Sequence, residues 1–357
     1  MRSLQRVLVS TAVLLPAVAL CAAVKAQNLP PNTGEITTFS APGAGTGFFQ
    51  GTTALSINEH GAIVGYYADA QGVHHGFLRD KHGTVTSVDV PGASSTTASS
   101  INANGAIAGG YSDAKGTHGF VRDKHGVFTS FDALGSTLTN TASINEDGTI
   151  AGNYSDAKGT HGFVRDKDGT VTSFDAAPGA SFTISVYINE DGAIVGYFSD
   201  ATFPFQHGFV RDNDGVFTSF DALGTVLLPG RATFPGSINE DGTIVGTYAD
   251  ILGGAHGFVR DKNGAITALD VPGAGIGFLA GTFVSRINDD GTIVGSFNTS
   301  RATPRHGFVR DEQGTITTFD APGAYSQTLP TGINEEGEVT GFYDTTSLVN
   351  RGFVLKP

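Results

Sequence analysis

Six histidines recur in one phrase, His-Gly-Phe followed by a small apolar residue, Arg and Asp, beginning at His75, His118, His161, His207, His256 and His306. Imidazoles repeated beside carboxylates could hold a metal ion or serve as general bases oriented by an acid. The hairpin geometry around them favours a plainer role. If Asp166 pairs with Thr170 across the turn Asp166-Lys167-Asp168-Gly169, His161 falls opposite Asp175. The same register sets His75 against Asp89, His118 against Asp132 and His207 against Asp221. It also sets His256 against Asp270 and His306 against Asp320. These pairs are expected to lock strands by cross-strand hydrogen bonds. The turns Asp166 to Gly169 and Asp212 to Gly215 resemble fragments of calcium loops, but a third oxygen donor and a distal Glu are absent. No metal site and no cofactor is expected.

The elements carrying these pairs repeat as well. Ile-Asn-x-x-Gly starts at Ile57, Ile101, Ile144, Ile188, Ile238, Ile287 and Ile333, and a Thr-rich strand ends at Ser40, Asp89, Asp132, Asp175, Asp221, Asp270 and Asp320. Successive His spacings are 43, 43, 46, 49 and 50 residues, the range of propeller blades or solenoid repeats. Each period reads as four short strands, since apolar and Thr residues alternate between Gly, Asp and Asn turns. Ile-Asn then forms the innermost strand of a blade and the Thr-rich strand its outermost. Residues Glu35 to Ser40 are an outer strand with no blade before them, and Gly332 to Pro357 are three strands lacking an outer one. Joining the two predicts an all-β, seven-bladed β-propeller of four-stranded blades, closed by the N-terminal outer strand pairing with the C-terminal blade. The histidines then begin third strands, about two spacings of roughly 4.8 Å from the axis, in six different blades. They cannot converge on one site.

With Arg351-Gly352-Phe353-Val354 as a seventh copy, the phrasing resembles the extracellular repeat family named for its His-Ala-Phe motif. Gly replaces Ala here, Val-Arg replaces the usual Leu-Trp, and the chain has no Trp. The resemblance spans nearly the whole chain after its first segment. It implies an exported repeat protein and no particular activity.

Arg2 and Arg6 precede an apolar run from Val7 to Val24, and Val24-Lys25-Ala26 offers a cleavage site. The expected organisation is a signal peptide over 1–26, a short linker over 27–33 and the propeller over 34–357. Cleavage would leave 331 residues without Cys or Met and, with Arg2, Arg6 and Lys25 gone, take the formal charge from −13 to −16. That excludes disulfides and thiolate chemistry in the mature chain. It also argues against a partner bound through nucleic-acid phosphates. The protein is expected to be secreted or periplasmic, a monomer, and not inserted in a membrane after cleavage.

Departures from the repeat indicate where function could reside. Just before Ile-Asn, where other copies carry Ser or Gly, stand Tyr187 and Arg286, candidates to line the central channel. Tight turns all leave one face of the ring, whereas blade crossovers and second-to-third-strand loops leave the other. Length variation and aromatics gather on that second face. The candidate ligand-binding residues there are Phe48, Phe49, Phe182, Phe203, Phe205 and Phe234. Phe278, Tyr325, Arg231 and Arg305 complete the set. Nearly all other polar residues are repeated, so no unique catalytic constellation is seen. The reading is a binding module for an extracellular glycan, polymer or protein. A structural or adhesive envelope protein, or a lyase or hydrolase on the same scaffold, are the alternatives.

Overall fold

The computed structural model describes residues 34–200, 205–222 and 232–357. The signal-peptide reading of 1–26 and the linker of 27–33 lie outside them. Apart from one turn of 3-10 helix at Ala133–Gly135, the regular elements are strands. No helix among the described residues is long and apolar enough to cross a membrane.

The unit is a four-stranded antiparallel meander. In the blade holding His161, Thr139–Ile144 pairs with Ile150–Ser155, which pairs with Thr160–Arg165, which pairs with Val171–Phe174. Gly148 and Gly169 close the two tight turns with φ of 84° and 93°, a left-handed conformation that glycine adopts without steric cost. The innermost strand bulges between Thr141 and Ser143, and corresponding bulges interrupt the inner strands of other blades.

Packing between blades explains the His-Gly-Phe phrase. Phe163 is fully buried, as are Phe77, Phe120, Phe209, Phe258, Phe308 and Phe353. Gly152, on the adjacent strand, lies under the Phe163 ring, and a Cβ there would come within 2.5 Å of it. A Cβ on Gly162 would collide with the Phe174 ring of the outer strand. The Phe174 ring therefore dictates Gly162, while Gly152 is dictated by the Phe163 ring together with the Asn140 carbonyl, which its Cβ would approach to 2.3 Å. Five junctions are closed edge to face, among them Phe131 on Phe163 at 6.0 Å and 78° and Phe39 on Phe77 at 5.9 Å and 73°, while Val88 and Leu269 take the ring's place ahead of Phe120 and Phe308. At four of these junctions the repeated Arg completes the joint, its guanidinium lying over the preceding blade's ring, 4.9 Å for Arg165 over Phe131 and 5.0 Å for Arg79 over Phe39.

At the chain ends, Ile36–Phe39 pairs antiparallel with Asn350–Leu355, Ile36 opposite Leu355 and Phe39 opposite Gly352. Phe39 thus joins the last-formed meander by hydrogen bonding and the first by its ring.

Candidate binding face

One clip fixes the base of each crossover. A backbone N–H just past the outer strand donates to a buried Thr Oγ1 of the next inner strand, as Ala41 does to Thr52 at 2.8 Å and Val271 to Thr282 at 3.0 Å. The clip spans 11 positions ahead of Thr52, Thr233 and Thr282. Ahead of Thr96, Thr139, Thr183 and Thr328 it spans 6 or 7. Loops of different length therefore leave the scaffold from equivalent anchors.

Two of the long crossovers are sister structures, Gly43 to Thr52 and Gly273 to Thr282, with nearly the same sequence. Phe49 and Leu279 occupy the same place in each, at φ of 57° and 58°, a region that costs a side-chain-bearing residue about 1–3 kcal/mol. Their N–H groups donate at 2.9 Å to the carbonyls of Leu348 and Gly253, which fixes each turn onto a neighbouring loop. The result is a phenylalanine held at the tip. Phe48 is 57% exposed and Phe278 60% exposed. Ile276, Ile251 and Leu252 are exposed near Phe278, and Arg301 lies 5.6 Å over its ring. Tyr325, 49% exposed, stands in the crossover that follows the second of these in chain order. Of the remaining exposed large apolar residues, Phe49 lies against Phe48 with ring centres 4.0 Å apart, Leu134 and Leu138 occupy another crossover, and Val127 and Val216 follow turn glycines at the opposite end.

Other candidates are placed differently. Phe182 and Phe234 lie within inner strands Phe182–Ile188 and Ala232–Ile238, not in crossovers, and are half-buried. They flank Tyr197 edge to face at 6.1 and 5.2 Å, because this aromatic, on the strand paired with that of Phe182, gives both a partner inside the fold. Phe205 is also half-buried. Arg305 is no free cation for a carboxylate: its guanidinium lies 3.9 Å over Phe283, and burial pulls its pKa down. Phe203 and Arg231 lie outside the described residues.

Near the axis, Arg286 reaches across the blade that carries Gly236. It donates to the Gly236 carbonyl at 2.7 Å and lies 5.2 Å over the ring of Tyr187. The backbone of the neighbouring inner strand requires Gly236, since a Cβ would stand 2.6 Å from the Ser285 carbonyl. Burial pushes the Tyr187 hydroxyl up to about 12, against the pull of Arg286. The pair bridges inner strands.

The turn face has an organisation that a turn signature does not reveal. Asn58, which opens one Ile-Asn turn, accepts the N–H of Ala62 on its Oδ1 and donates from Nδ2 to the Asn102 carbonyl of the next blade at 2.9 Å. Asn102 donates to Asn145, Asn145 to Asn189, Asn189 to Asn239, Asn239 to Asn288 and Asn288 to Asn334. Asn334 donates to Asn58 at 3.1 Å. The adjoining carboxylates follow the same course: Glu190, Glu240, Asp289, Glu335 and Glu59 each accept a backbone N–H from the neighbouring turn. Burial and mutual repulsion push Glu190 and Glu335 up to about 7 and raise Glu59 and Glu240, though the N–H bonds oppose this. Three inner-strand serines also bridge blades, for example Ser237 Oγ accepting from Ile287 N at 2.9 Å.

The six histidines sit on their outer-strand aspartates. Nδ1 of His161 lies 2.7 Å from Asp175, with the corresponding distances 3.0 Å for His75 to Asp89 and 2.6 Å for His118 to Asp132. They are 2.8 Å for His207 to Asp221 and for His256 to Asp270, and 2.9 Å for His306 to Asp320. The imidazoles pack on Tyr67, Tyr111, Tyr154, Phe198, Tyr248 and Phe297 at 5.0–5.4 Å. A second carboxylate, from the loop before the histidine, reaches Nε2 in several blades. The sequence reading missed it, although its signal, an Asp five or six residues ahead of His75, His118, His161 and His256, stands in the sequence.

No family model matches the chain, and no curated protein matches it. Solved structures do. A streptogramin B lyase aligns at 16% identity over 91% of this chain and 98% of its own, with a TM-score of 0.54. An inactive virginiamycin B lyase variant from Staphylococcus aureus, solved with quinupristin, aligns at 13% identity over 90% and 99%, with a TM-score of 0.57. The propeller domain of the Trilobed protease from Pyrococcus furiosus aligns at 13% identity over 88% and 94%, with a TM-score of 0.58. These likenesses show the fold: the chain is an all-β protein of the β-propeller kind.

Proposed function

We propose that the chain is an exported, seven-bladed propeller closed by its N-terminal strand, and that it is a binding module for an extended extracellular partner, a glycan or a protein. The resemblance to the His-Ala-Phe repeat family is consistent with export. Closure is supported by the pairing of Ile36–Phe39 with Asn350–Leu355 and by the return of the amide bonds from Asn334 to Asn58. One observation carries the functional reading: two sister crossovers, each clipped at its base and strained at one residue, hold Phe48 and Phe278 out to solvent. Strain and apolar exposure in the same turn are costs that packing alone does not require. An enzyme would need acid and base groups converging on one point, but the histidines are spread one to a blade, each engaged with its own aspartate.

The test is to probe a glycan and peptide array with residues 27–357 and with the F48S/F278S variant. The wild type should be retained by a defined class of spots and the variant released from them, with an unchanged melting temperature. Retention that is equal for both proteins would contradict the assignment of the face.

A further inference from the structure

The second carboxylate on the histidines imposes a protonation state by hydrogen-bond counting. In four blades both imidazole nitrogens face carboxylate oxygens. His118 lies 2.6 Å from Asp132 and 3.0 Å from Asp113, and His161 lies 2.7 Å from Asp175 and 3.2 Å from Asp156. His256 lies 2.8 Å from Asp270 and 3.3 Å from Asp250, and His75 lies 3.0 Å from Asp89 and 3.4 Å from Asp69. A neutral imidazole has a single N–H, and its other nitrogen would turn a lone pair on a carboxylate. Only the imidazolium donates to both. Tyr67, Tyr111, Tyr154 and Tyr248 pack on the rings, and His74, whose affinity for a proton burial and His75 both lower, stands beside His75.

The loop aspartates are the organisers of their own loops. Asp250 Oδ1 accepts the N–H groups of Leu252 and Gly254, while its Oδ2 faces His256. Asp69 accepts from Gln71 and Val73, and Asp156 from Lys158 and Gly159. These loops support the aromatic crossovers. Leu279 N donates to Gly253 O, and the Phe278 ring packs on Gly253, where a Cβ would come within 2.6 Å. Gln50, from the Phe48 crossover, donates its side-chain amide to Ala70 O at 3.1 Å.

We propose that the Asp–His–Asp bridges are proton-operated staples that hold the second-to-third-strand loops in place, and through them the aromatic crossovers, so that the binding face is ordered when the imidazoles are charged and loosens when they lose a proton. Its consequence for ligand retention rests on the function proposed above; the staple itself does not. Asp89, Asp132, Asp175 and Asp270 raise the affinity of their histidines for the proton, with the loop aspartates adding to this against the opposing effect of burial. The two remaining histidines are internal controls. His207 has its loop carboxylate, Asp200, at 3.9 Å, and His306 faces Asp320 alone.

The experiment is histidine-ring nitrogen NMR together with amide hydrogen exchange on residues 27–357, from about pH 5 to about pH 8, with no ligand present. At the acid end His75, His118, His161 and His256 should carry protons on both nitrogens. At the basic end exchange in 250–254 and 277–280 should rise about tenfold beyond the intrinsic base-catalysed increase, while 299–305 shows no excess. D250N, whose amide can donate to a neutral His256, should abolish the excess at 250–254 and 277–280. Neutral rings at the acid end, an excess that is absent or equal in 299–305, or an excess that persists in D250N would overturn the proposal. Failure on the array would instead remove the binding reading and leave these outcomes readable.

Discussion

The side-chain amide of Asn334 donates to the backbone carbonyl of Asn58, 276 positions away in the chain, at 3.1 Å. Each member of this series also accepts an N–H from its own turn, so one residue type folds the turn and joins it to the next blade. Asn145 is buried and uses both ends of its amide, donating to Asn189 O and accepting from Thr149 N. N145A should lower stability by about 1–3 kcal/mol, because the buried Asn189 carbonyl loses one of its two donors and the part-buried Thr149 N–H loses its acceptor. N145D should cost at least as much, since it sets a carboxylate against the Asn189 carbonyl. Urea midpoints of the two variants check this.

Removal of residues 27–40 takes away strand Ile36–Phe39, bares the edge of Asn350–Leu355, and strips Phe77 and Arg79 of the Phe39 ring. The melting temperature should fall by about 10 °C or more. A truncated chain that melted within a degree or two of its parent would contradict closure.

Substitution G152A tests the packing argument, because the new methyl meets the Phe163 ring at 2.5 Å. The expected loss is about 1–3 kcal/mol by overpacking. The double variant with F163L should recover part of it in a double-mutant cycle.

Two groups of residues give stability the same pH dependence. His75, His118, His161, His256 and His306 have folded pKa values above the unfolded one, so their contribution is complete below about pH 6.5 and disappears as pH rises through the folded values. Glu59, Glu190, Glu240 and Glu335 are also raised, two of them to about 7, so ionising them above their unfolded pKa, near 4.5, progressively destabilises the fold. Asp69, Asp113, Asp156 and Asp250 act oppositely, their folded values lying below 3.8, and their contribution is lost only in stronger acid. Denaturant midpoints should therefore be higher near pH 5 than near pH 8, at constant ionic strength. A midpoint that rises between those values would contradict the assignments.

The four-strand meander is legible in the sequence because its two turn signatures and its hairpin register depend only on local spacing; one index sum relates His161 to Asp175. The amide series was not legible. Asn-x-x-Gly reads as a complete turn signal by itself, and nothing local reveals that the other end of the amide meets a carbonyl about one repeat away. Exposure of the aromatics was only partly legible for a related reason. Phe278 stands within a long crossover and Phe234 just after one, but Phe234 has Tyr197 beside it on a neighbouring strand, whereas the positive φ of Leu279 turns Phe278 outward. Position in the chain does not distinguish these cases; the cross-strand partner does.

The most direct measurement of the central claim is a hydrogen-exchange footprint of residues 27–357 with whatever glycan or peptide the array retains. Protection should fall on the crossover face, at 46–50, 251–254, 276–280 and 323–327, with the turns at 58–61 and 145–148 unchanged. Protection confined to those turns, or an array that retains nothing, would contradict the account.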